Sequence, residues 1–147
     1  MRRSGAVVFI LAAAALGACG GHPVRQVNVL HEAHNAMSQD TLTVNMGAVG
    51  ASRQWGSASI GDAKHGVDVK IDVQNEPHGA SQPAYIAKSA CTPPAAKPWR
   101  TLQPVVGGKS ASHVDGIDIG VIKKGRYSIV VQDARSHRPV SCGNFQI

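Results

Sequence analysis

Val67-Asp68-Val69-Lys70-Ile71-Asp72-Val73 alternates apolar and charged residues without a fault. Successive side chains of an extended chain point to opposite faces, so this stretch puts four branched apolar residues on one face of a strand and three charges on the other. One face meets a core and the other meets solvent. The same period of two runs outward from it: Leu42, Val44 and Met46; Ala58 and Ile60 after the turn region at Gly56; Tyr127, Ile129 and Val131 after the Lys124-Gly125 turn. Shorter extended candidates cover residues 85–90, 102–106, 114–119 and 140–147. Gly, Pro, Asn and Asp clusters separate these runs, and no long helical period interrupts them. About eight short, half-polar strands predict an all-β domain over residues 41–147, an antiparallel Greek-key sandwich or barrel rather than an α/β fold.

Upstream of that domain the composition changes. The chain opens on Met1-Arg2-Arg3-Ser4-Gly5, continues with the apolar run AVVFILAAAAL over residues 6–16, and reaches Leu16-Gly17-Ala18-Cys19. The apolar run is about half of the ~20 residues that a spanning helix needs, and it fits the hydrophobic region of a secretory signal. Leu16-Gly17-Ala18-Cys19 resembles the lipobox of bacterial lipoproteins, which implies cleavage after residue 18 and a diacylglycerol on the Cys19 sulfur. Acyl chains would then provide the membrane attachment. Gly20 stands where an Asp marks inner-membrane retention in lipoproteins of diderm bacteria, so the resemblance implies the outer membrane of such a cell. Residues 1–18 therefore read as a signal peptide, and residues 19–40 as a lipidated N-terminus and tether with a short helical spacing at Leu30, Ala33, His34 and Met37.

Charge excludes one class of function. The 147 residues carry 15 Lys and Arg against 9 Asp and Glu, a formal net charge of +6. Removal of Arg2 and Arg3 with the signal lowers the basic count to 13, a mild surplus spread along the chain. Aromatic residues do not interleave with these cations as they do on a nucleic-acid platform, so no nucleic-acid partner is expected.

With Cys19 reserved for lipid, Cys91 and Cys142 are the remaining cysteines, and an exported chain matures where disulfides persist. Pairing them is the economical assignment. Residues that could hold a metal gather only at His31-Glu32-Ala33-His34, whose imidazoles are three apart rather than the four of H-E-x-x-H. A zinc peptidase is excluded, and a loose copper or zinc site at His31, Glu32 and His34, aided by His22, stays as the alternative. His65, His78, His113 and His137 read as scattered surface histidines. No serine lies in a nucleophile elbow, and Gly107-Gly108-Lys109-Ser110 lacks phosphate-loop spacing and reads as a hairpin turn. No catalytic residue can be named.

Residues 43–91 resemble the first half of a bacterial copper/zinc superoxide dismutase. They hold an opening strand, a GS-x-x-I strand at Gly56-Ser57, a G-V strand at Gly66-Val67, and a short strand leading to Cys91. Gly125-Arg126-Tyr127-Ser128-Ile129-Val130-Val131-Gln132 resembles that family's G-R-x-hydrophobic-V-H strand, and Ser141-Cys142-Gly143-Asn144-Phe145 its closing A-C-G-V-I strand. The resemblance implies the same disulfide that counting suggests. It also marks where copper would sit, and there the chain departs. The H-x-H pair is replaced by Tyr85 and Ala87, and the histidine ending the later strand by Gln132. The zinc loop is missing, since only residues 92–98 follow Cys91 before the next strand. Pro139 stands where the active-site arginine would be, with Arg138 one place away.

The expectation is a lipid-anchored, non-enzymatic envelope protein on a superoxide dismutase-like scaffold. It needs no cofactor, binds an envelope protein or ligand, and leaves a homodimer open. The alternative is copper or zinc handling by the tether histidines.

Overall fold

The computed structural model describes residues 40–94 and 97–145. Eight strands close into one antiparallel barrel: β1 (Thr41–Ala48), β2 (Trp55–Ala63), β3 (Gly66–Gln74), β4 (Ser81–Ala87), β5 (Arg100–Val106), β6 (Lys109–Asp115), β7 (Tyr127–Gln132) and β8 (Pro139–Phe145). Around the barrel they follow the order β1-β2-β3-β6-β5-β4-β7-β8. Two connections, β3 to β4 and β6 to β7, therefore pass over neighbouring strands, the Greek-key pattern, while the others are local. The all-β expectation holds, with a closed barrel as its form.

The alternation in β3 does what its period requires. Val67, Val69, Ile71 and Val73 are buried, and Asp68 and Lys70 are exposed. Val44 and Met46 of β1, Ala58 and Ile60 of β2, Ile86 of β4, Val105 of β5, Val114 of β6 and Ile129 and Val131 of β7 join them in one interior core. Burying such side chains stabilises the fold by roughly 1.5–3 kcal/mol each relative to leaving them exposed.

A correction concerns residues 114–119, expected to be extended. The strand is β6, which ends at Asp115, and the chain then forms a helix α1 (Ile119–Lys124). Asp118 caps it by accepting from the Gly120 amide at 2.6 Å, and the Gly125 amide closes its last turn on the Ile122 carbonyl. Lys123 and Lys124 complement its C-terminal dipole. Ile119 and Ile122 point into the barrel, so α1 lids the end at which β1, β3, β5 and β7 begin.

Prolines mark the irregular places. Between Gln82 and Ala84 the β4–β5 register shifts, opposing Pro83 to the extra pair Gln103-Pro104. Neither proline can donate to a ladder, so a bulge is the low-cost solution. β5 and β6 meet as a hairpin at Gly107-Gly108, both at positive φ, and share the single register pair Val106↔Lys109. Beyond it, serine side chains do the bridging. The Gln103 amide donates to Ser112 Oγ at 2.8 Å, and Ser110 Oγ donates to the Gln103 carbonyl at 2.7 Å.

Candidate functional site

Odd-numbered residues of β4 and even-numbered residues of β7 point away from the barrel interior, and this outer face gathers the positions that the sequence marks as changed. Tyr85 and Val130 are register partners, Ala87 pairs with Ser128, and Gln132 lies one step beyond on the same strand. Tyr85 and Ala87 share a small second core with Val130 and Cys142, against which Val49 and Cys91 pack. The chain after β4 folds back over this face, and Cys91 joins Cys142 in a disulfide with an S–S distance of 2.01 Å. The Cys91 amide donates to Asn144 Oδ1 at 2.7 Å, seating the covering loop on β8.

Gln132 Nε2 donates to the Tyr85 hydroxyl at 3.4 Å. Burial pushes the Tyr85 phenol above its ordinary value, against a smaller opposite effect of the Gln132 hydrogen bond. The ring stays neutral near pH 7 and offers no phenolate. A neutral phenol, a methyl group and an amide are a poor donor set for copper, which favours imidazole nitrogen. The residues present do not fit that metal. Pro139, the place of the expected arginine, pairs with Gln132, and Arg138 lies exposed in the β7–β8 turn.

Cys19, His22, His31, Glu32 and His34 lie outside the described residues. Among the described residues no group of three or more His, Cys, Asp or Glu side chains is placed to hold a metal ion. His113 is more organised than a scattered surface residue. It sits within β6, with Nδ1 2.7 Å from Asp68 and Nε2 3.2 Å from Asp115. The hydrogen bond to Asp68 raises its pKa above the ordinary histidine value, with Asp115 adding to it. His65 and His137 adopt positive φ in turns.

A second cluster was not visible in the sequence. At the end lidded by α1, Trp99 and Tyr127 face each other with ring centroids 4.9 Å apart. Lys88 Nζ and the Arg100 guanidinium each lie 4.6 Å from the Trp99 ring centroid, within cation–π range. Arg100 follows Trp99 directly, whereas Lys88 and Tyr127 arrive through β4 and β7, so only the topology assembles the group. Beside it Lys123, Arg126, Tyr127, Asn144 and Phe145 line a depression of about 290 Å³. Lys123 Nζ pairs with Asp40 at 2.7 Å. Trp55 lies at the opposite end, 57% exposed, so the two tryptophans form no joint patch.

Other surface features are shallow. A groove of about 410 Å³ on the outer face of β2, β3 and β6 runs past Ser57, Ser59 and Lys70 to the Asp72–Lys109 pair at 2.8 Å. No described helix is long and apolar enough to cross a membrane. Comparison of the chain with protein-family models, curated proteins and solved structures gives no match.

Proposed function

We propose that the chain is a lipid-anchored, non-catalytic envelope protein: a superoxide dismutase-like barrel, attached through Cys19, that binds another envelope component. The observation that carries this reading is the content of the outer face of β4 and β7. Tyr85, Ala87 and Gln132 come together there, as the resemblance requires of the copper positions, and their side chains fill the space with a neutral, hydrogen-bonded, largely apolar cluster. A buried face of this kind stabilises the loop that Cys91 pins, and the Ser128 hydroxyl, buried beside Ala87, is a polar group on it without a hydrogen-bond partner among the described residues. The Greek-key barrel and the Cys91–Cys142 bridge support the scaffold part of the reading. Fold alone never assigns an activity, so the argument rests on the donor set.

The test uses the full chain made in a bacterial host that processes lipoproteins. Mass spectrometry of the N-terminal peptide should find an acylated Cys19 with residues 1–18 removed, and Cys19→Ala should abolish retention in the membrane fraction. After exposure to stoichiometric copper and zinc and desalting, the protein should retain neither. Copper retained stoichiometrically and lost in His31→Ala with His34→Ala would replace this reading by metal handling at His31, Glu32 and His34. Copper that survives both substitutions would overturn the reading of Tyr85, Ala87 and Gln132.

A further inference from the structure

Strand direction fixes the end of the barrel at which the described chain begins. β1 begins at the end lidded by α1, and the Asp40–Lys123 pair holds the start of the described chain beside that helix. The same end carries the ends of β4 and β8 and the starts of β5 and β7. Its charges are divided. Asp62, Asp115 and Asp118, with Lys64 among them in the β2–β3 turn, belong to the half formed by β2, β3 and β6, and Asp62 and Asp118 border a depression there with His65. Lys88, Arg100, Lys123 and Arg126 belong to the half formed by β4, β5 and β7, around Trp99 and Tyr127. Lys123 is neutralised by Asp40, and Lys88, Arg100 and Arg126 have no carboxylate partner among the described residues.

We propose that this half of the barrel end is a docking face for anionic phospholipid headgroups, which hold the barrel end-on against the membrane. The proposal rests on the lipid-anchor reading, because the chain from an acylated Cys19 enters the barrel at the end at which β1 begins. Two further observations point to lipid. Tryptophan and tyrosine side chains, with an apolar body and a polar tip, suit the headgroup level of a bilayer, and here Trp99 and Tyr127, half-buried against the core, stand beside three cations without a carboxylate partner among the described residues. The depression beside Tyr127 is lined by Lys123, Arg126 and Asn144 together with Phe145, and Arg126 is its cation without an ion-pair partner among the described residues. The opposite end also carries Arg53, Arg135 and Arg138 without an ion-pair partner among the described residues, but its exposed Trp55 has no second ring or cation against it there like those that flank Trp99. Asp133, held below the usual carboxylate range by the amide and hydroxyl of Ser136, sits in the same turn as Arg135 and Arg138.

The two tryptophans give the test its readout, because they occupy opposite ends. Full-length protein is placed on vesicles of phosphatidylglycerol or phosphatidylcholine carrying bromine-labelled acyl chains. Trp55→Phe leaves Trp99 as the reporter, and Trp99→Phe leaves Trp55. Docking predicts quenching of Trp99 and not of Trp55, on phosphatidylglycerol only, and reversed by salt as the Debye length shortens below about 8 Å. Each cation near an anionic surface is worth roughly five-fold in partitioning. Lys88→Gln with Arg126→Gln in the Trp55→Phe chain should therefore weaken the quenching-detected docking about 25-fold, whereas Arg135→Gln with Arg138→Gln should leave it unchanged. Vesicle sedimentation and the mass of the Cys19 peptide are read on the same samples. Acylated chain that sediments with Trp99 unquenched overturns the docking face, leaves the anchor standing, and hands the patch to an acidic protein. Trp99 quenched on anionic vesicles without acylation upholds the docking face and overturns the anchor. Chain that is neither acylated nor sedimented overturns both.

Discussion

Gly143→Ala should be among the most damaging single-methyl changes in this barrel. A Cβ at Gly143 would lie 2.5 Å from Val44 Cγ1, 2.8 Å from the Asn45 carbonyl oxygen and 3.0 Å from Met46 Cγ. Two of those neighbours are interior side chains and one is backbone, so no flexible side chain tip can simply swing aside. The site is also where the barrel closes, and β1 and β8 share just the register pairs Gly47↔Cys142 and Ala48↔Ser141. Overpacking a well-filled core costs about 1–3 kcal/mol, and the backbone contact places Gly143→Ala in the upper half of that range. For a domain of this size that is about 10 °C in Tm. Urea unfolding followed by circular dichroism, with Gly143→Ala, Val44→Ala and the double variant, separates the causes. Val44→Ala removes the nearest methyl, so in that background the Gly143→Ala penalty should shrink by about 1 kcal/mol. It should not vanish, because the Asn45 carbonyl remains. An unchanged midpoint for Gly143→Ala, or the same penalty with and without Val44, would refute the close-approach argument.

Breaking the disulfide by Cys91→Ser with Cys142→Ala opens a link spanning 51 positions. Loop-closure entropy predicts a loss of about 4 kcal/mol, measurable as the difference between parent and variant in urea without reductant. Ile122→Ala removes a fully buried side chain from the lid helix and should cost about 2–5 kcal/mol. Val121→Ala, at a position 49% exposed on the same helix, should stay within about 0.5 kcal/mol. His113 has a raised folded pKa, so its stabilising contribution is complete below the ordinary value of 6.5 and is lost as pH rises through the folded value. The stability gap between parent and His113→Gln should thus be wider near pH 5 than near pH 9, and a proton NMR titration of His113 should show the raised midpoint directly.

The strands that the sequence announced are those whose two faces see different solvents. β3 is legible because Val67 to Val73 alternates core and water at every step, and β1, β2 and β7 are legible for the same reason. The helix α1 was not, because six residues make under two turns and Ile119 and Ile122 alone carry its period. Its signals were punctuation: Asp118 as a cap, Lys123-Lys124 in the last turn, Gly125 after it. The barrel order was beyond local reading, since pairs such as Gly66↔Asp115 and Ala87↔Ser128 depend on where distant strands settle. At the outer face, the resemblance singled out Tyr85, Ala87 and Gln132, and the structure adds what binds them together: the Tyr85–Gln132 hydrogen bond and the cover pinned by Cys91. Trp99 and Arg100 are adjacent in sequence, but Lys88 and Tyr127 join them only in space. Gln54 and Gln82, buried in contact at 3.3 Å, carried no signal at all, because nothing local says that an amide will face inward.

The serine bridges between β5 and β6 make that seam an early point of opening in the barrel. The β2–β3 and β3–β6 pairs are held by long runs of register partners that must break together, whereas here the two peptide groups of Gln103 depend on hydroxyls that can rotate away singly. Amide exchange with solvent deuterium should therefore be fast at Gln103 and slow at Val69 or Val130, well below the threshold of global unfolding. Ser110→Ala with Ser112→Ala would widen the difference. A seam of this kind gains or loses water without surrendering the core, so this strand pair offers a protease an extended segment short of global unfolding.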